Sequence, residues 1–221
     1  VKVKICGLRT YDEAMAAIEA GADLLGFNFY RPSPRYISPG ECMRLQVKLQ
    51  IALQGMTNRK IIMVGVFVNY GVNEITTVLG DCNLDLAQLS GDETPEEMAA
   101  LGEKAFKALR PASAAELARA VAAYPRRSGS PAWLIDANRP GLYGGSGHAA
   151  DWSLARQLAV QSPILLAGGL TVENVGIAIR QVHPWGVDVA SGVESAPGCK
   201  DPARMRAFVE AAQRAEEEFL A

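Results

Sequence analysis

Short β-rich runs alternate with amphipathic helical stretches along the whole chain, and this alternation limits the fold more than any other feature. The β-rich runs are Val1 to Cys6, Leu24 to Phe29, Ile61 to Val68, Leu84 to Leu89, Ala105 to Leu109, Trp133 to Ile135, Ile164 to Ala167 and Gly186 to Ala190. The stretches between them carry helix-start signals. Thr10, Ser38, Ser113, Asp151 and Thr171 are capping types. Thr94-Pro95-Glu96-Glu97 adds a first-turn proline and acids that suit the helix dipole. A last helix is expected over Pro202 to Phe219, with its charges on a solvated face. Parallel strands need crossover connections, and a helix between each pair supplies them. An open doubly wound sheet and a closed barrel both satisfy this pattern. Eight βα units in 221 residues, about 27 residues each, favour the α/β class with a single (β/α)8 TIM barrel. No linker or composition break divides the chain, so 1–221 is expected to form one domain.

Charge and cysteine content exclude several classes. The formal net charge is −2 with both signs scattered, which suits neither a nucleic-acid surface nor a polybasic membrane anchor. The longest apolar runs, such as Ile61 to Val68, fall far below the roughly 18 residues of a membrane span. Val1-Lys2-Val3-Lys4 lacks the apolar stretch of a signal peptide, so a cytoplasmic location is expected. Cys6, Cys42, Cys82 and Cys199 show no CxxC spacing, and His148 and His183 are the only histidines. Neither a disulfide framework nor structural zinc is expected.

In such barrels the functional groups sit at the C-terminal ends of the strands and in the loops that follow. The first strand ends at Cys6-Gly7. A cysteine there is a nucleophile, a metal ligand or, as thiolate, a general base; it can also be a small buried hydrophobe. The sixth strand ends at Asp136, after the apolar run Trp133-Leu134-Ile135. Desolvation at that point would raise the carboxyl pKa and suit a general acid, whereas bonds to loop amides would make the group structural. The seventh and eighth strands run into Gly168-Gly169 and Ser191-Gly192. Glycines let backbone amides approach an anion, a following helix start adds a favourable dipole, and these two loops are the common phosphate site of such barrels. No GxGxxG or Walker loop is present, so no nucleotide is invoked. Arg35, in the proline-stiffened loop after the second strand, has the fork that matches a carboxylate or phosphate, while Arg31 reads as a surface arginine. Asp188, inside the eighth strand, either faces the barrel interior or supports a binding group from behind.

Several segments together resemble one family. Lys4-Ile5-Cys6-Gly7-Leu8, Ser33-Pro34-Arg35-Tyr36-Ile37-Ser38-Pro39, Val64-Gly65-Val66-Phe67-Val68-Asn69, Gly144-Gly145-Ser146-Gly147, Leu166-Ala167-Gly168-Gly169-Leu170 and Gly186-Val187-Asp188-Val189-Ala190-Ser191-Gly192-Val193-Glu194 occur in the order found in phosphoribosylanthranilate isomerases. The resemblance covers nearly the whole chain. It implies an Amadori rearrangement of N-(5'-phosphoribosyl)anthranilate to 1-(2-carboxyphenylamino)-1-deoxyribulose 5-phosphate, without cofactor or metal, in a monomer or homodimer. It further implies Cys6 as the base at C2', Asp136 as the acid at the ring oxygen, and Arg35 on the anthranilate carboxylate. The glycine loops would hold the phosphate. A thiolate base is expected to need only a modestly lowered pKa, since a free cysteine titrates near 8.5.

Three segments depart from the family pattern. Ser90 stands in Gln88-Leu89-Ser90-Gly91-Asp92 where a histidine is usual, Ala190 replaces a serine, and Gly147-His148-Ala149-Ala150-Asp151 differs from the usual loop. A related sugar isomerase of histidine synthesis would carry aspartate in place of Cys6, and a barrel that only binds a phosphosugar would lack Cys6 or Asp136.

Overall fold

The computed structural model describes residues 1–54, 60–136 and 152–220. Eight parallel strands close into a barrel in sequence order: β1 (Lys2–Cys6), β2 (Leu24–Asn28), β3 (Ile62–Phe67), β4 (Leu86–Leu89), β5 (Ala105–Leu109), β6 (Trp133–Ile135), β7 (Ile164–Leu166) and β8 (Gly186–Val189). Pairing of β1 with β8, at Lys4 opposite Asp188, closes the ring. The connecting helices are α1 (Tyr11–Ala20), α2 (Pro39–Leu53), α3 (Val72–Asp81), α4 (Pro95–Leu101), α5 (Ala114–Ala123), α6 (Trp152–Ala159), α7 (Val175–Val182) and α8 (Pro202–Leu220). The expected (β/α)8 barrel is therefore the observed one.

Strand alternation sorts the side chains into two compartments. Leu24, Val64, Leu86, Phe106, Leu134 and Leu165 point inward and fill the barrel. Their neighbours, such as Ile5, Leu25, Phe67, Ile135 and Val187, point outward and join the layer beneath the helices. Met205, Phe208, Val209, Ala212 and Ala215 bury one side of α8 in that layer, and its charged positions lie on the other.

The helix starts follow the caps in the sequence. Thr10, Ser38 and Thr94 each accept a hydrogen bond from the backbone N–H three residues on, and Glu13, Glu41 and Glu97 reach back to the capping residue. Ser113 accepts from the Glu116 N–H in the same way. Thr171 does not behave so. The Asn174 side chain accepts from the Thr171 N–H at 2.8 Å and donates to the Gly169 carbonyl at 2.9 Å, and α7 begins only at Val175. After β8 the chain forms a short hairpin of β9 (Glu194–Ala196) and β10 (Cys199–Lys200) before α8. The expected cap Asp151 and the segments Gly144-Gly145-Ser146-Gly147 and Gly147-His148-Ala149-Ala150-Asp151 lie outside the described residues.

Candidate active site

At the C-terminal mouth of the barrel, a cleft is lined by Cys6, Asn28, Ser33, Arg35, Val66, Gln88, Ser90, Asp136, Asp188 and Ala190. A second hollow adjoins it through Asp136, Asp188 and Ala190, and is walled by Ala167, Gly168, Gly169, Leu170 and Ser191. Seven of the eight residues expected from sequence therefore line one or both hollows: Cys6 and Arg35 the first, Gly168, Gly169 and Ser191 the second, and Asp136 and Asp188 both. Gly192 is placed differently. A Cβ there would land on the Leu170 carbonyl oxygen, so its role is to let the loops after β7 and β8 touch.

Cys6 ends β1 facing Gly26 of β2. A Cβ on Gly26 would stand 2.8 Å from the Cys6 Sγ, so the missing side chain is what makes room for the thiol. Two residues earlier, on the same inward face, Lys4 is fully buried and its Nζ donates to Asp188 Oδ1 at 2.7 Å. Burial pushes the Cys6 thiol up, and the opposing charge of Lys4 does not cancel that push. This corrects the expectation that the site lowers the thiol. Lys4 is itself held above the ordinary lysine value: burial works against its charge, but Asp188 and Cys6 outweigh burial.

Arg35 is anchored from both sides. Asn28 and Ser33 order its loop: Asn28 Nδ2 donates to Ser33 Oγ at 3.1 Å, and the Arg35 N–H donates to the same oxygen at 3.1 Å. The stem of Arg35 runs over Gly7, whose φ of +83° and bare Cα leave the passage; a Cβ would come within 2.7 Å of Arg35 Cδ. The guanidinium Nε and Nη2 donate to the two carboxylate oxygens of Glu194 at 2.7 and 2.8 Å. Glu194 also accepts from Lys200 Nζ at 2.7 Å, and Lys200 donates to the Ala190 carbonyl at 2.9 Å.

The second hollow is built from backbone. Gly168 and Gly169 adopt φ of +91° and +67°, a region that favours glycine, which turns the chain after β7 inward. Ser191 opens a tight turn after β8. Two glycine-bearing turns side by side let backbone come close to an anion.

Ser90, where the family pattern has histidine, is buried in the first cleft and accepts from Gln88 Nε2 at 3.1 Å. Gln88 Oε1 has no hydrogen-bond partner among the described residues. Ala190 borders both hollows. Sequence reading assigned no role to Lys4, Glu194 or Lys200. Lys4 had a usable signal, because a residue two before Cys6 on a strand shares its face. Glu194 had none, since its partner lies 159 residues away. Among the described residues no three His, Cys, Asp or Glu side chains converge as metal ligands, and no helix is long and apolar enough to cross a membrane.

Residues 3–211 match the sequence model of a family described as N-(5'-phosphoribosyl)anthranilate (PRA) isomerase. The N-(5'-phosphoribosyl)anthranilate isomerase of Trichlorobacter lovleyi is 44% identical over 216 residues, covering 97% of this chain and 99% of its own. Two solved structures each cover 97% of this chain and 99% of their own. One shows monomers generated from the dimeric phosphoribosylanthranilate isomerase of Thermotoga maritima, at 34% identity and a TM-score of 0.80. The other is a phosphoribosyl anthranilate isomerase in complex with reduced 1-(o-carboxyphenylamino)-1-deoxyribulose 5-phosphate, at 33% identity and a TM-score of 0.79.

Proposed function

Because the chain belongs to the N-(5'-phosphoribosyl)anthranilate isomerase family, we propose that Cys6 and Asp136 are the base and the acid of its reaction. The enzyme is an intramolecular isomerase of tryptophan biosynthesis. It converts N-(5'-phosphoribosyl)anthranilate to 1-(2-carboxyphenylamino)-1-deoxyribulose 5-phosphate. The observation that carries the residue assignment is that Cys6 and Asp136 line one cleft at the barrel mouth, with the glycine hollow adjoining it.

In this reading the phosphate lies against the amides around Gly168, Gly169 and Ser191. Asp136 gives its proton to the furanose ring oxygen as the C1'–O bond breaks, and the anilino nitrogen lone pair forms the Schiff base. Cys6, as thiolate, then takes the proton from C2'. The electrons of that C–H bond form the C1'–C2' double bond of the enolamine and neutralise the iminium nitrogen. Tautomerisation gives the 2'-ketone. One acid and one base suffice because every step moves a proton and none changes oxidation state overall. Holding phosphate and carboxylate at opposite ends fixes C2' and the ring oxygen against their partners. Arg35 would take the anthranilate carboxylate with the guanidinium hydrogens that Glu194 leaves over. Asp188, reaching into both hollows, is positioned to accept from a substrate N–H or O–H.

The chain is read as one domain working as a monomer or homodimer, the latter supported by the dimeric Thermotoga maritima relative. Four free cysteines support a reducing, cytoplasmic setting.

The test is turnover of freshly made phosphoribosylanthranilate, followed by loss of anthranilate fluorescence. Cys6→Ser and Asp136→Asn are each expected to lower kcat by about a hundredfold or more. Full activity in Asp136→Asn would move the acid to another residue, and full activity in Cys6→Ser would do the same for the base.

A further inference from the structure

Cys6 works as a base only after losing its proton, yet it sits in a place that resists ionisation. Its sulfur is buried at the end of β1, and burial raises the thiol. The side chains around it are charged in an uneven way. From its own strand comes Lys4, fully buried and within reach of the sulfur. Asp188 comes from β8, Arg35 from the loop after β2, and Glu194 and Lys200 from the hairpin after β8. Asp136 faces the same cleft from β6. Three cations thus stand against the two carboxylates that pair with them, Asp188 and Glu194. The cluster has room for one more negative charge, carried by either Cys6 or Asp136.

Among the cations Lys4 is the one within hydrogen-bond reach of the sulfur, while Lys200 and Arg35 act on it through space. Arg35 and Lys200 both converge on Glu194, at 2.7 to 2.8 Å. Lys4 has a single carboxylate partner, Asp188 at 2.7 Å, so two of its three protons point elsewhere inside a closed barrel layer. The position is fixed by main-chain register, since Lys4 and Asp188 are direct partners across the β1–β8 seam and Cys6 is the next inward residue above Lys4. A fully buried ammonium is expensive to keep. A second acceptor, the ionised sulfur, gives it a use beyond one salt bridge.

We propose that Lys4 is a positioning residue for catalysis, the buried counter-ion that holds the Cys6 thiolate, and that Asp188 competes with the sulfur for its charge. The proposal rests on the reading of Cys6 as the base. It predicts opposite effects for the two partners. Removing the ammonium disfavours the thiolate. Removing the carboxylate charge leaves the ammonium to the sulfur and favours it.

The experiment is a titration of the Cys6 thiolate by its absorbance near 240 nm. In each background the matched Cys6→Ser protein is subtracted, which removes Cys42, Cys82 and Cys199 from the signal. Lys4→Met is expected to raise the midpoint by a pH unit or more, about a tenfold loss of thiolate at a given pH. The rising limb of kcat against pH should move with it, while KM stays within about threefold. Asp188→Asn is expected to lower the midpoint. A folded Lys4→Met protein with an unmoved midpoint overturns the proposal. If circular dichroism shows Lys4→Met unfolded, Asp188→Asn decides, and an unmoved or raised midpoint overturns it. Activity that survives Cys6→Ser would sink the base assignment instead, a separate result, because the absorbance titration does not depend on turnover.

Discussion

Arg35 and Glu194 join the loop after β2 to the hairpin after β8 through two parallel hydrogen bonds of 2.7 and 2.8 Å. Glu194 is buried, and burial works against its charge. The hydrogen bond from Arg35 and the nearby Lys200 outweigh burial and hold its carboxyl below the ordinary range. A carboxyl lowered in the folded state stabilises the fold at pH values above its unfolded value of about 4.3 and loses that contribution as pH falls through the folded value. Glu194→Gln should therefore destabilise the protein by about 3 kcal/mol at neutral pH, because it leaves Arg35 and Lys200 without their shared partner. The gap between the urea midpoints of wild type and variant should narrow below about pH 4. A gap that stays constant down to pH 3 would show that the carboxylate charge is not what holds the two loops.

Gly26 shows how closely the thiol is fitted. Gly26→Ala puts a methyl group 2.8 Å from Cys6 Sγ and 3.0 Å from the Cys6 Cα, both inside van der Waals contact. The backbone of Cys6 is tied into β1, so the sulfur has to turn away. The expected outcome is a fall in kcat of tenfold or more with KM changed far less, since the hollow proposed to hold the phosphate is built from the loops after β7 and β8. Steady-state kinetics checks it, and a rise in KM with unchanged kcat would contradict the account.

What the sequence made legible was local. Thr10, Ser38, Thr94 and Ser113 mark helix starts because a cap and its partner lie three residues apart. Cys6 and Asp136 stood out because a polar group closes an apolar run at a strand end. What stayed hidden depends on contacts between distant segments. Lys4 meets Asp188 only because β1 and β8 close the barrel in one register, 184 residues apart along the chain. Arg35 was expected to offer its fork to a ligand, and half of that fork is spent on Glu194. The direction of the Cys6 shift could not be read from residue type, because it depends on how far burial outweighs Lys4. At α7 a good capping residue, Thr171, lost to Asn174, whose amide bonds both the Thr171 N–H and the Gly169 carbonyl.

Gly192 should matter for the phosphate although it does not line the hollow. Its bare Cα lets the loop after β8 press on the Leu170 carbonyl of the loop after β7. Gly192→Ala forces those loops apart and spreads the amides around Gly168, Gly169 and Ser191. Binding of a phosphate-bearing product analogue should weaken by tenfold or more, measured by calorimetry. The Cys6 thiolate titration should not change, since β1 is untouched. Unaltered affinity in a folded Gly192→Ala protein would separate these loops from phosphate binding.

Lys107 sits on β5 with its ammonium outside the barrel wall, bonded to Glu93 Oε2 at 2.6 Å and the Gly91 carbonyl at 2.7 Å, with the Tyr124 ring 5.5 Å away. Glu93 in turn accepts from the backbone N–H groups of Asn69 and Gly91, at 2.8 and 2.9 Å. The pair therefore ties the loops after β3 and β4 together behind Ser90. Lys107→Met should cost about 3 to 5 kcal/mol, because Glu93 would stay buried without its cation. Glu93→Gln with Lys107→Met should recover part of that loss, which a double-mutant cycle by urea unfolding measures. Burial lowers Lys107 below the ordinary lysine value, with Glu93 opposing. Its proton is thus held less tightly in the folded chain than in the unfolded one, and this group's contribution to stability rises with pH through the interval between the two values. Comparison of wild type with Lys107→Met from pH 7 to 10 reads that slope. A wild-type advantage that shrinks steadily over this range would mean that Lys107 is held above, and not below, its ordinary value.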